Sequence, residues 1–159
     1  MTGRPRHEYV LGLPSSLVAP SSDDSVRHPV AADAEALARL MLDTYVGTID
    51  YDGESIEEAR EEVAGYLDRE PLLDASWIRV GDEDVVSASL VGWWRDRACP
   101  LVSYVMTTPA MKSRGHAGDL LARSLASLVQ ARHHEVRAVI TQGNTPSEIV
   151  FARAGFRRV

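Results

Sequence analysis

Residues 105–121 read VMTTPAMKSRGHAGDLL: the end of an apolar run, a basic turn and the start of a helical pattern. The apolar run 101–106 predicts a strand, and Pro109, which has no N–H to give, ends its ladder. A basic, glycine-containing turn follows and opens directly into a helical pattern carried by Leu120, Leu121, Leu125, Leu128 and Val129. A helix that begins in such a turn aims several unpaired backbone N–H groups at one place, where its dipole also favours negative charge. Gly115, Ala117 and Gly118 let the backbone come close to a bulky anion, and Lys112 and Arg114 add charge at the rim. The P-loop pattern is excluded, because Lys112-Ser113 lacks the glycines ahead of it, and no G-x-G-x-x-G occurs here.

A second segment, 144–156, reads NTPSEIVFARAGF: a short helix signal ending in Gly155 and an aromatic residue. Together the two segments resemble the GNAT superfamily of acyl-coenzyme A N-acyltransferases. The family's [RQ]-x-x-G-x-[GA] at a helix start is matched by Lys112-Ser113-Arg114-Gly115-His116-Ala117. Its N-x-x-A-x-x-x-Y-x-x-x-G-F is matched at Asn144, Gly155 and Phe156, with Ser147 and Phe151 standing at the alanine and tyrosine positions. The likeness is strong over 101–156, weaker over 26–79, and silent on the first 24 or so residues.

Working outward, residues 26–29 predict a first strand and 32–45 a helix. Ser55 with Glu58 makes a capping box for a second helix over 56–67, which Pro71 bars from continuing. Strands at 76–80, 85–94 and 99–108 form an antiparallel meander. The central helix (115–132), a strand (136–141), a short helix (146–154) and a last strand (156–159) complete the order β-α-α-β-β-β-α-β-α-β. This is an α/β fold with a mixed sheet flanked by helices. His133-His134 reads as cations near a negative helix terminus rather than as a metal pair. The expected organisation is an N-terminal extension over 1–24, either a tail or an extra edge strand, and a single domain over 25–159. The resemblance implies a further strand after the last one. With none following Val159, one sheet edge is expected to be bare unless residues 9–13, or a neighbouring subunit of a homodimer, cover it.

Composition narrows the partners. With 17 Lys and Arg against 23 Asp and Glu, the net charge of −6 speaks against broad nucleic-acid binding and suits a cationic small-molecule or peptide acceptor. Cys99 is the only cysteine, so neither an internal disulfide nor a multi-cysteine metal site can form, and a reducing cytoplasm is the expected compartment. No apolar run reaches membrane-spanning length.

What the resemblance implies is transfer of an acetyl group from acetyl-CoA to an amine by direct attack in a ternary complex. The alternative is a non-catalytic acyl-CoA-binding or protein-interaction module. The amides of Ser113, Arg114, Gly115, His116, Ala117 and Gly118 would cradle the pyrophosphate, with Lys112 at the family's Arg or Gln position. Met106 and Thr107 would offer backbone groups to the pantetheine arm, with the Met106 N–H as oxyanion donor. Asn144 would steady that arm, and Phe151 would pack beside the thiol end, serve as a core aromatic, or do both. Phenylalanine cannot donate a proton as the family's tyrosine does, and Leu101 stands where histone-type members carry a glutamate base. That leaves water assisted by Ser103 or Ser147, proximity alone, or binding without turnover. Tyr45, Asp50, Tyr51, Asp52 and Glu54 would make an acidic, aromatic wall for a protonated amine. Asp119, just inside the helix, is out of place beside phosphates unless it points away.

Overall fold

The computed structural model describes residues 4–159 and places seven strands in one sheet, in the spatial order β2-β3-β4-β5-β6-β1-β7. In chain order these are β1 (Arg6–Gly12), β2 (Val26–Arg27), α1 (Ala34–Tyr45), α2 (Ile56–Asp68), β3 (Trp77–Val80), β4 (Val85–Trp94), β5 (Cys99–Thr107), α3 (His116–Gln130), β6 (Glu135–Thr141), α4 (Thr145–Arg153) and β7 (Arg157–Arg158). From β2 onward this is the order expected from the sequence.

Local chemistry sets the boundaries. Ser55 Oγ accepts the Glu58 N–H while Glu58 accepts the Ser55 N–H, so α2 starts on the predicted capping box. The long helix α3 ends in a Schellman motif: Arg132 is left-handed at φ 69°, His133 N–H reaches Leu128 C=O, and Arg132 N–H reaches Val129 C=O. Helices cover both faces of the sheet. On one, Leu37, Leu40 and Met41 of α1 and Val63 and Tyr66 of α2 bury against Ile78, Ala88, Leu90 and Met106. On the other, Leu121, Leu125 and Leu128 of α3 with Phe151 and Phe156 bury against Val91, Val102, Val136, Ala138 and Ile140. Each face therefore supplies the apolar area that holds its own helix pair.

The N-terminal extension adds the strand expected around residues 9–13, but inside the sheet and not at its rim: β1 runs antiparallel to β6 from Arg6↔Thr141 to Gly12↔Glu135, and β7 pairs with its far side at Tyr9↔Arg158 and Val10↔Arg157. The chain's first strand thus fills the sheet between β6 and its last strand. Local periodicity cannot show this, because the pairing joins residues more than a hundred positions apart. From β1 the chain passes over α3, where Ser21 C=O accepts from Arg123, and returns to the opposite edge as β2.

Glu8 fastens β1 across the sheet, accepting from Arg97 at 2.9 and 2.8 Å and from Arg137 of β6. The hydrogen bonds of Arg97, opposed by desolvation and reinforced by Arg137, hold the Glu8 carboxyl down to about 2 from an ordinary 4.5. A depressed folded-state value means this contribution is complete above the unfolded value and is lost as pH falls toward 2. Glu8→Gln is therefore expected to melt below wild type at neutral pH, with the gap closing between about 4.5 and about 2 in melting curves taken across pH. Parallel curves for the two proteins over that window would refute the assignment.

Candidate functional site

The site begins where β5 and β6 part. Their parallel register holds at only two positions, Leu101↔Arg137 and Val102↔Ala138. Beyond them β5 continues alone on that side, and among the described residues β6 pairs with none of 103–107. A β-bulge lies at the parting: the β4–β5 register steps from Leu90↔Tyr104 to Val91↔Val102, which leaves Ser103 as the extra residue. A bulge bends its own strand, which is what swings β5 away from its parallel neighbour.

Which backbone groups face the opening follows from ladder alternation. Thr108 N–H donates to Val86 C=O, and Ser87 Oγ donates to Met106 C=O, so residues 106 and 108 turn their peptide groups toward β4. Those of Val105 and Thr107 point the other way, into the gap. The expectation that Met106 N–H is the exposed donor is therefore corrected by one residue in either direction. The Met106 side chain, 1% exposed, belongs to the α1/α2 core. Thr107 does lie on the open edge. Its carbonyl accepts from Thr44 Oγ1 at 3.2 Å and its own hydroxyl meets Ser87 Oγ, which leaves its N–H facing outward.

Past β5 the chain makes a short turn over Pro109–Met111 and then two left-handed steps, Ser113 at φ 66° and Gly115 at φ 80°. Alternation of this kind gathers successive amides on one side. The first intrahelical bond of α3 is Asp119 N–H to Gly115 C=O at 2.9 Å, so the amides of 116–118 have no partner inside the helix, and no side chain caps them. A Cβ placed on Gly115 or Gly118 would meet nothing within 4 Å, so the helix mouth is open rather than plugged. Lys112, Ser113 and Arg114 are exposed around it, while His116 and Ala117 are half-buried. Asp119 does not oppose an anion here: Arg79 and Arg123 each hold its Oδ2 at 2.9 Å, and Arg79 also binds Asp23. Burial, with the positive charges of Arg79 and Arg114, lowers the His116 titration below its usual range, so its ring is neutral near pH 7.

The late helix meets the opposite rim. Asn144 caps α4 by accepting the Ser147 N–H at 3.3 Å, and its amide nitrogen donates to Asp50 at 2.7 Å. This bond brings the 48–55 loop to the C-terminal end of β6. Phe151 is 5% exposed and stands edge-on to Phe156 at 5.0 Å, which makes it a core aromatic with little surface for a thiol end. Ser103 Oγ lies by Gly92 while Ser147 sits in the first turn of α4, and no hydrogen bond between the two serines is present among the described residues. Of the expected acceptor wall, Asp50 is engaged by Asn144 and Glu54 folds back onto the Asp52 amide at 2.8 Å, whereas Tyr51 is open to solvent. Burial raises the Tyr45 phenol well above its ordinary range, with Asp50 and Glu62 adding to the shift.

Two residues that sequence reasoning passed over belong to this wall. Tyr104, beside the bulge, donates its hydroxyl to Glu62 of α2. Nothing in the spacing of positions 62 and 104 marks them as a pair. Among the described residues no cluster of His, Cys, Asp or Glu is arranged to hold a metal, and no helix is long and apolar enough to cross a membrane.

Comparison with known proteins agrees with this geometry. The family model described as FR47-like protein matches residues 82–159, which runs from the β3–β4 turn through the helix mouth to the chain's end. Among curated proteins, none matches by sequence. Among solved structures, a GCN5-related N-acetyltransferase from Sphaerobacter thermophilus superposes with a TM-score of 0.75 at 15% identity, over 98% of this chain and 49% of that one. An acetyltransferase of the GNAT family from Novosphingobium aromaticivorans gives 0.67 at 16%, over 98% and 60%. The diaminobutyrate acetyltransferase of Paenibacillus lautus, solved with L-2,4-diaminobutyric acid and coenzyme A, gives 0.62 at 17%, over 81% and 72%. The chain thus spans about half to three-fifths of the length of the first two. The parted parallel strands, the open helix start between them and these superpositions together identify the fold as that of the GNAT acetyltransferases.

Proposed function

We propose that the chain is an N-acyltransferase that moves an acetyl group from acetyl-CoA to an amine. The observation that carries this is the unpaired edge of β5 running straight into the uncapped amides of α3. A diphosphate suits the helix mouth, where N–H groups and dipole act together and Lys112 and Arg114 supply charge. A pantetheine arm carries amides of its own and can pair with the Val105 groups and the outward Thr107 N–H as an added strand would. The thioester at its end would then lie near the bulge, where one of those N–H groups polarises its carbonyl. The neutral amine nitrogen attacks the carbonyl carbon, a C–N bond forms, the C–S bond breaks, the nitrogen gives up one proton to water, and the thiolate takes a proton from solvent. Holding both reactants in the cleft supplies much of the acceleration. That the solved diaminobutyrate enzyme holds coenzyme A on the same fold supports the reading. The rival, binding without turnover, draws on the burial of Phe151, which leaves the late helix no phenol to protonate the thiolate.

Two measurements separate these readings. Acetyl-CoA should raise the melting temperature, since a ligand of the native state at a hundred times its Kd adds about 2.7 kcal/mol. Free thiol should then appear with alkylamines, diamines or lysine peptides above the hydrolytic background. Stabilisation without thiol release would favour the binding module, and neither effect would reject both. Gly118→Val is expected to leave the melting temperature of the unliganded protein nearly unchanged, because its side chain enters open space. The same change should abolish most of the acetyl-CoA-induced shift by filling the cradle. A retained shift would place the diphosphate elsewhere.

A further inference from the structure

We propose that Tyr104 and Glu62 form a proton relay that deprotonates an alkylammonium acceptor at the mouth of the cleft. The inference rests on the acyltransferase reading above and adds the group which that reading lacks.

The bulge that frees the β5 edge also positions Tyr104. It pairs with Leu90 at the register step, and its side chain leaves the sheet on the α1/α2 face, immediately before the Val105 peptide that faces the gap. Its hydroxyl donates to Glu62, which stands exposed on α2. A phenol between the cleft and a carboxylate open to water is a path for a proton leaving the site. Burial first, and the Glu62 carboxylate second, push the phenol above its ordinary range, so Tyr104 stays protonated at neutral pH. It therefore acts by passing a proton on. The ammonium gives a proton to Tyr104 Oη as the phenolic proton moves to the Glu62 carboxylate. The freed nitrogen lone pair attacks the thioester carbon, the C–S bond breaks, and the second nitrogen proton leaves to water.

The neighbouring groups do not compete for the role. Tyr66 stands edge-on to Tyr104 at 6.1 Å, but its hydroxyl is committed to Val91 C=O at 2.6 Å. Arg69, at the end of α2, is held by Gly65 C=O at 2.9 Å. Tyr45 from α1 also faces the pair, and its own surroundings include Asp50 of the loop and Arg6 of β1. Aromatic faces from Tyr45 and Tyr104 beside the carboxylates of Glu62 and Asp50 favour a substrate that arrives as a cation. Alkylamines fit that description at neutral pH, and arylamines do not.

The test is the pH profile of kcat/KM for full-length Glu62→Gln and Tyr104→Phe, with acetyl-CoA and the best alkylamine of the panel. Each variant is expected to lose about a hundredfold near neutral pH, the usual range for a proton-transfer group. That deficit should shrink as pH approaches the amine's own pKa, where the acceptor needs no base. The double variant should lose little more than either single one, as residues acting as a unit do. A deficit that is the same at every pH would show a merely structural staple and overturn the relay, as would no deficit at all. Glu62 is exposed, so Glu62→Gln decides the matter even where Tyr104→Phe lowers the melting temperature. Failure of the wild type to acylate any amine would remove the underlying reading, and the relay with it, before any variant is compared.

Discussion

Among the described residues the ladder between the two halves of the sheet consists of two parallel pairings, Leu101↔Arg137 and Val102↔Ala138, and the molecule depends on their stopping there. A sheet with a gap has unpaired backbone polar groups near its core, which a protein keeps only where something else satisfies them. Here the gap opens at a bulge whose extra residue, Ser103, turns the following edge outward. The same turn sends Tyr104 toward α2 and carries the chain to the uncapped start of α3. One irregular residue thus aligns an unpaired strand edge, an uncapped helix mouth and a phenol–carboxylate pair.

The rest of the fold compensates for that opening. With so short a ladder between β5 and β6, other elements help to hold β6 in place. The seven-residue β1 pairs along its outer side, and Glu8 reaches back to both Arg97 and Arg137. Over the α3 face, the run from β1 to β2 is tied down by Ser21 to Arg123 and by Asp23 to Arg79. Those two arginines also hold Asp119. The network that fixes the N-terminal segment therefore also engages the one acid in the first turn of α3, beside the uncapped helix mouth.

Local features of this arrangement were legible in the sequence. The Ser55–Glu58 box, the helix start at Gly115 and the meander between them all rest on short-range spacing, and each occurs in the structure. What depends on distant pairing was not legible. The insertion of β1 between β6 and β7 leaves no periodic trace. The choice of Met106 as the exposed donor failed because ladder direction alternates residue by residue and is set by pairing with β4, as Thr108 N–H to Val86 C=O shows. The link between positions 62 and 104 was invisible for the same reason. The motif at 144–156 did locate its helix but left Phe151 open between the thiol end and the core, and its packing against Phe156 selects the core.

On the proposed reading the β5 edge and the α3 mouth form one continuous surface for coenzyme A. Amide chemical shifts of the full chain during titration with coenzyme A test it most directly. The account predicts saturable shifts concentrated at Val105, Thr107 and residues 113–118, with Met106, whose backbone is turned to β4, moving less. Saturation that leaves the 105 and 107 amides unmoved, or shifts centred on another surface, would contradict it.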